Sequence, residues 1–373
     1  MKRACLFFIG DIARDSRALR FLDVLKEQFE THAIIAGNAD FTEERFGCTL
    51  HSLDSLSASS LKKTFFDFRK RAATVGKQLQ PDVSIASDIY SLPPAIASGS
   101  KGKVIYDARE LYTSLASLVE RPITQLFWKQ FEKRYARKAD LIITVNESIA
   151  KILRATFPMQ RVEVIHNYPM ITTSGRSDLL RKLFSIPSEK KILLSQGGVQ
   201  KGRGAFLLIE AMKELDDCVL VFLGSGSLEE EIKALTASDQ LATKIFQLAA
   251  VPSHELLAYT ASADIGLCLI ENLGQSYFLS LPNKLFEYLA AGIPVIGSDF
   301  PEISRIINHY DVGQTVSPTD VAQLREVIRT LCTDAQQRER FQLNARAASK
   351  ELNWEKEREK LISLLKIERQ VAN

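Results

Sequence analysis

The chain has 373 residues, 46% of them apolar and 25% charged, with a formal net charge of +3. That is the profile of a globular protein long enough for two domains, and no run approaches the ~20 apolar residues of a membrane-spanning helix. The charge is uneven: residues 1–169 carry 25 Lys and Arg against 19 Asp and Glu, and the remainder 23 against 26. A mildly basic first half suits an anionic acceptor or the periphery of an anionic membrane, and is too weak to imply nucleic acid. The five cysteines are scattered, with no C-x-x-C, and the histidines show no H-x-x-x-H spacing. This argues against a disulfide framework and a metal centre, and suits a reducing cytoplasm, where the inner face of the membrane is within reach.

In chain order, Cys5 to Ile9 reads as a first strand, because its apolar run is too short for a signal peptide and Asp11 follows at once. The loop from Gly10 to Asp15 leads to a helix starting near Ser16, with Leu19, Phe21, Leu22 and Leu25 on a helical period. Ala33–Ala36, Asp82–Ala86, Lys103–Asp107, Ala139–Val145 and a segment beginning at Val162 are further strands, and Asn146 caps the helix that starts at Glu147. The helix Leu61–Arg71 mixes three phenylalanines with five basic residues; it reads as an amphipathic helix docked on the sheet, or as one that lies on a membrane surface. A long charged helix is expected from Leu126 to Lys138.

Residues 170–176 form the linker candidate, after which the α/β pattern restarts. Strands are expected at Lys191–Ser195, Val219–Leu223, Ile245–Leu248 and Ala263–Leu269, and charged helices through Val371 end the chain. The fold class is therefore α/β, with two Rossmann-like parallel-sheet domains: 1–169, and 170–353 with a tail from 354. Ligand is expected in a central cleft between their carboxyl edges.

Three stretches of the second half carry chemistry. The loop Gly197–Gly204 holds four glycines with Lys201 and Arg203 between a strand and a helix, which suits an anion met by backbone amides, a helix N-terminus and two cations, or else is a bare turn with incidental cations. It is not a Walker A loop. The turn Gly224-Ser225-Gly226-Ser227 has Glu229 in place of the third glycine of a dinucleotide fingerprint, which disfavours a nicotinamide enzyme and leaves an anion-accepting turn or a plain tight turn. The helix from Pro282, stopped by Gly292 and Pro294, places Leu285, Phe286 and Leu289 on one face and Asn283 and Glu287 on the other, with Lys284 alongside. At the strand ends of the first half lie Gly10, Asp15, Arg17, Arg109, Glu110 and Asn146; Asp15 or Ser16 as a helix cap and Arg109 paired with Glu110 or Asp107 are their structural readings.

With these residues in place, the chain resembles the retaining GT-B glycosyltransferases of family 4 over nearly its whole length, most specifically across 191–313. The resemblance implies that Gly197, Gly198, Lys201, Gly202 and Arg203 bind the diphosphate of a nucleoside-diphosphate sugar, of UDP or GDP type. It implies that Gly224, Ser225 and Gly226 meet the nucleotide base and that Glu287 bonds the ribose. Ser280, Leu281, Asn283, Lys284 and Leu285 would complete the donor pocket, and Asp299 to Glu302 also matches the family. Lys201, Arg203, Arg109 and Glu110 are the expected catalytic groups, and Gly10, Asp15, Arg17 and Asn146 the acceptor side, toward a glycan, a lipid-linked or a small-molecule acceptor. No cofactor or metal is expected, and the tail from Trp354 is expected to pack back on the first domain.

The chain departs from the family at two places: Leu279 stands where the first of two spaced glutamates would be, and Arg109 where a histidine is common. Sugar transfer in cell-surface polysaccharide or glycoconjugate synthesis is the expected function. A catalytically silent nucleotide- or glycan-binding partner protein of the same fold is the alternative, and an epimerase would need cleft carboxylates that the sequence does not place.

Overall fold

The computed structural model describes residues 1–37, 47–53, 61–99, 102–170, 175–237 and 239–366. The expected linker at 170–176 and the expected helix end at Val371 lie partly outside these residues. The chain divides into two compact units, one of 1–167 with 356–373 and one of 168–355.

The sheet of the first unit has seven strands in the order β3-β2-β1-β4-β5-β6-β7: β1 is Arg3–Ile9, β2 Glu30–Ala36, β3 Thr49–Ser52, β4 Val83–Ala86, β5 Lys103–Ala108, β6 Leu141–Thr144 and β7 Arg161–Val164. Every pairing is parallel. The central strands are buried along their length, as parallel strands covered on both faces must be. The helices of this unit that bear on function are α1 (Ser16–Lys26), α2 (Leu61–Leu79), α3 (Pro122–Ala136) and α4 (Glu147–Thr156). Asp15 caps α1 by accepting from the Ala18 N–H at 2.7 Å, and Asn146 caps α4 by accepting from Ile149 at 2.9 Å.

The second unit repeats the plan with six parallel strands, β10-β9-β8-β11-β12-β13. Here β8 is Lys191–Gln196, β9 Cys218–Leu223, β10 Ile245–Leu248, β11 Ile265–Cys268, β12 Val295–Ser298 and β13 Gly313–Val316. Helix α5 (Ala205–Met212) follows β8, and α6 (Asn283–Ala291) precedes β12. Strand order reverses between β8 and β11, where doubly wound sheets open a crevice at the strands' carboxyl ends.

Helix α6 begins one residue later than the sequence pattern suggests. Pro282 has extended backbone angles (φ −69°, ψ 140°) and caps the helix from outside. At its other end Gly292 takes φ +67°, the left-handed stop that favours glycine. Helix α7 (Trp354–Leu365) buries Leu361, Leu364 and Leu365. It is tied to the first unit by Glu357, which accepts from the His166 backbone N–H at 3.0 Å and pairs with its ring Nδ1 at 2.8 Å, and by Lys103 Nζ donating to the Leu364 carbonyl.

Candidate functional site

The carboxyl edge of the second sheet is built around Tyr288. This buried residue of α6 brings its hydroxyl within 3.0 and 3.2 Å of the Leu194 and Leu267 carbonyls, and the Gln196 N–H donates to it at 3.1 Å. One phenol thus fixes α6 to the ends of both β8 and β11, where the two strands part. Its neighbour Glu287 is turned to the edge, where Gln196 Nε2 donates to its carboxylate at 2.5 Å. The Gln196 amide is itself oriented by Thr260, whose hydroxyl donates to Oε1 at 2.9 Å. Gln196 is a site residue that the sequence reading missed; its signal is a polar residue ending an apolar strand just before the glycine loop.

The glycine loop follows. Gly197 and Gly198 are exposed, as is Lys201, whereas Gly202 and Gly204 are buried beneath the segment after β11. Glu271 in that segment accepts from the Gly204 N–H at 3.0 Å and donates its own N–H to the Gly202 carbonyl at 3.0 Å, so the loop is clamped from outside. Glu271 was also missed, because no local pattern ties it to a loop 67 residues away. Arg203 lies 5.3 Å from the Tyr277 ring centroid, and its buried Nε has no hydrogen-bond partner among the described residues.

Lys284 is buried, although helical spacing alone put it beside a polar face. Burial pushes its pKa down to about 8, with the nearby Arg203 charge adding to the effect, while Cys268 and Glu287 act the other way. Lys284 is thus a buried ammonium close enough to Arg203 and Glu287 to feel both charges.

The turn after β9 is joined to the glycine loop along the backbone. Val199 N–H donates to the Ser225 carbonyl at 3.1 Å and Leu228 N–H to the Val199 carbonyl at 3.1 Å. A Cβ on Gly224 would stand 1.9 Å from the Gly197 carbonyl oxygen, and one on Gly226 2.2 Å from that of Val199. These two glycines are therefore required by the contact between the loops, whatever the turn also binds. Glu229 accepts from the Gly226 N–H, filling the role that a ligand would have at that amide. Ser280, Leu281 and Asn283 are half-buried at the start of α6 and Leu285 is in the core.

The corresponding edge of the first unit is different. Arg17 is buried and grips Asp107 with Nε at 2.9 Å and a terminal nitrogen at 2.7 Å, while its other terminal nitrogen donates to the Ile165 carbonyl. Arg109 donates to the same Asp107 at 3.1 Å and to Asp15 at 2.5 Å, and stacks over Phe8. Burial opposes the Arg109 charge, and the two carboxylates outweigh it and raise its pKa. Asp15, Arg17, Asp107 and Arg109 thus form one linked cluster, in which one Arg109 terminal nitrogen is buried without a hydrogen-bond partner among the described residues. Of the sequence-derived candidates, Glu110 remains exposed, Asn146 is buried as the α4 cap, and Gly10 (φ +130°) is half-buried on the loop after β1.

Comparison with known proteins agrees with the two-unit plan. A family model described as "Glycosyl transferases group 1" matches residues 177–348, and one described as "Glycosyltransferase Family 4" matches 17–168. The chain is 26% identical over 250 residues, 61% of its length, to a chitobiosyldiphosphodolichol beta-mannosyltransferase from Candida albicans, and spans 53% of that protein. It is 23% identical over 356 residues to N-acetylgalactosamine-N,N'-diacetylbacillosaminyl-diphospho-undecaprenol 4-alpha-N-acetylgalactosaminyltransferase from Campylobacter jejuni, covering 92% of this chain and 93% of the other. The structure of sucrose-phosphate synthase from Thermosynechococcus elongatus superposes with a TM-score of 0.80, 98% coverage of both chains and 16% identity.

Proposed function

Since the chain belongs to the GT-B glycosyltransferases of family 4, we propose that it moves a sugar from a nucleoside-diphosphate sugar to a glycan or lipid-linked acceptor, with retention of anomeric configuration. The observation that carries this reading is the Glu287 carboxylate, oriented by Gln196, on the same helix as the buried Lys284, whose charge Arg203 of the glycine loop opposes. A nucleoside diphosphate suits the chemistry of those residues. Its ribose hydroxyls donate to Glu287, and its phosphates take the charge of Arg203, Lys284 and the exposed Lys201, with the amides of Gly197 and Gly198 and the α5 N-terminus alongside.

In the proposed step the acceptor hydroxyl forms the new bond to the anomeric carbon as the bond from that carbon to the phosphate oxygen breaks. The acceptor proton passes to the departing phosphate oxygen on the same face. The three cations stabilise the charge that grows on the leaving diphosphate, so the reading includes turnover that persists in the presence of a chelator. Gly224 to Gly226 are assigned to the base and Glu110 with the Gly10 loop to the acceptor side. The names of the two curated relatives specify diphosphodolichol and diphospho-undecaprenol compounds, which favours a lipid-linked acceptor. Those names also differ in anomer, one beta and one alpha, so assigning the product anomer by NMR is the direct test of retention; an inverted product overturns it.

A catalytically silent nucleotide-binding protein is the second reading, motivated by Leu279 in place of a glutamate and by Arg109 engaged with Asp107 and Asp15. Calorimetry and turnover with sugar nucleotides separate the two. Binding with transfer or donor hydrolysis, both weakened in Lys201→Ala, supports the enzyme, and tight binding with neither supports the silent protein.

A further inference from the structure

Four of the five cysteines are buried, and Cys332 is half-buried. Their spacing along the sequence suggests no pairing, yet the fold brings two of them together. Cys218 opens β9 and lies in the core of the second unit. Cys332 lies near the end of the helix Val321–Thr333, which buries Leu324, Ile328 and Leu331. It packs at the margin of the same apolar cluster that contains Cys218. Two arginines set how this helix sits. Arg325 pairs with the Glu214 carboxylate at 3.0 Å, and Arg329 donates to the Glu214 carbonyl at 3.1 Å, in the segment that runs into β9. Arg325, Arg329 and Cys332 stand at i, i+4 and i+7, one stripe of a helix. The stripe that reaches the entry of β9 with its arginines thus reaches Cys218 with its sulfur, and the two thiols are hydrogen-bonded to each other.

The two members of the pair are unequal. The hydrogen bond with Cys218 lowers the Cys332 pKa; burial opposes it, the Arg338 charge assists it, and Asp264 and Asp217 act with burial. Arg338 is held there because one of its terminal nitrogens donates to the Leu331 and Cys332 carbonyls at 2.7 and 2.9 Å. For Cys218 the same hydrogen bond, followed by burial, raises the pKa, so it keeps its proton. Burial likewise pushes Cys5 up to about 12 and Cys268 up to about 11. The thiolate is the reactive form of cysteine, so reactivity concentrates at Cys332. Two cysteines that merely fill space need neither the exposure nor the asymmetry. A half-exposed thiol of lowered pKa against a buried protonated one is the arrangement of an attacking and a resolving cysteine.

We propose that Cys332 and Cys218 form a reversible, peroxide-responsive thiol pair. Hydrogen peroxide is the oxidant: the Cys332 thiolate attacks one peroxide oxygen, the O–O bond breaks, and hydroxide leaves Cys332 as a sulfenic acid. The Cys218 sulfur then attacks the Cys332 sulfur, the S–O bond breaks, and the hydroxyl departs with the Cys218 proton as water. Two thiols are oxidised to a disulfide and peroxide is reduced to water, with the proton first lost by Cys332 neutralising the hydroxide; a thiol reductant reverses the bridge. A transient bridge of this kind suits a reducing compartment, where a structural framework does not. The pair lies at the opposite end of β9 from the Gly224 turn, so the inference is independent of the sugar-transfer reading. The test is peptide mapping of the full chain after graded hydrogen peroxide, with and without dithiothreitol. The first product joins the peptides of Cys218 and Cys332 within one chain, has lost two hydrogens, and reverts in dithiothreitol. Before oxidation, iodoacetamide modifies Cys332 at least about tenfold faster than any other cysteine. Cys332→Ser forms no bridge, and Cys218→Ala accumulates Cys332 sulfenic acid that dimedone traps. Because Cys218 is in the core, the wild-type map and the Cys332→Ser variant decide the matter if Cys218→Ala fails to fold. Thiols left unmodified by peroxide, a first bridge between any other pair or between chains, passage of Cys332 to sulfinic acid without bridging, or alkylation of Cys332 no faster than the rest overturns it.

Discussion

The two sheets follow the same winding, with strand order reversing beside the first strand of each, yet their carboxyl edges differ in charge. In the first unit Arg17 and Arg109 are held by Asp107 and Asp15, with one Arg109 terminal nitrogen buried and without a hydrogen-bond partner among the described residues. In the second, the buried Lys284 feels the Arg203 charge, and Gln196 orients the Glu287 carboxylate beside it. Two edges of the same topology therefore differ in how their cations are paired: two Asp carboxylates bridge the guanidinium groups of one, and burial weakens the ammonium of the other.

The sharpest way to break the contrast is Asp107→Ala. It strands two guanidinium groups, one of them fully enclosed, and removal of one partner from a buried pair costs about 3–5 kcal/mol. Chemical denaturation should register that loss, and a change under about 1 kcal/mol would mean that water already reaches the cluster.

In the second unit the opposite is expected of Glu287→Ala or Arg203→Ala. Apo stability changes little, while affinity for UDP or GDP falls by about ten- to a hundredfold, the worth of one charge-assisted hydrogen bond. Calorimetry reads both quantities, and unaltered nucleotide affinity in both variants would remove these residues from the donor site.

A third test uses Glu132, whose carboxyl is pushed up to about 7 by burial, with the Tyr106 hydroxyl partly offsetting. A raised acid stabilises the fold while protonated, so this contribution is present below the unfolded value near 4.5 and is lost as pH rises toward 7. Glu132→Gln should flatten that slope and leave the protein about 1–2 kcal/mol more stable at pH 8, measured by melts across pH.

The smallest expected effect belongs to Lys284. With its pKa lowered to about 8, the folded chain binds fewer protons there than the unfolded chain above that pH, so its burial penalty eases and stability rises slightly with pH. Donor affinity moves the other way, falling a few-fold above pH 8 as the ammonium is lost, and Lys284→Met should abolish that decline.

Much of this was legible from local pattern. Apolar runs marked the central strands, Asp15 and Asn146 were readable as caps, and Gly292 as a stop, because each acts on residues three or four positions away. Strands β3 and β13, with sequences Thr-Leu-His-Ser and Gly-Gln-Thr-Val, escaped notice because short edge strands have no continuous apolar run. Resemblance places Arg17 on the acceptor side, and its pairing with Asp107, 90 residues on, was not legible because such pairing leaves no periodic trace. Lys284 read as flanking a solvated face, since a helical wheel does not show which neighbour covers its edge.

Helix α7 has a consequence for the order of maturation. The second unit is continuous in sequence, whereas the first needs residues 356–366 against His166, Glu27 and Lys103. Those residues leave the ribosome after all of the second unit has been made. The half translated first is therefore the half completed last, and until then its open flank is a natural substrate for chaperones.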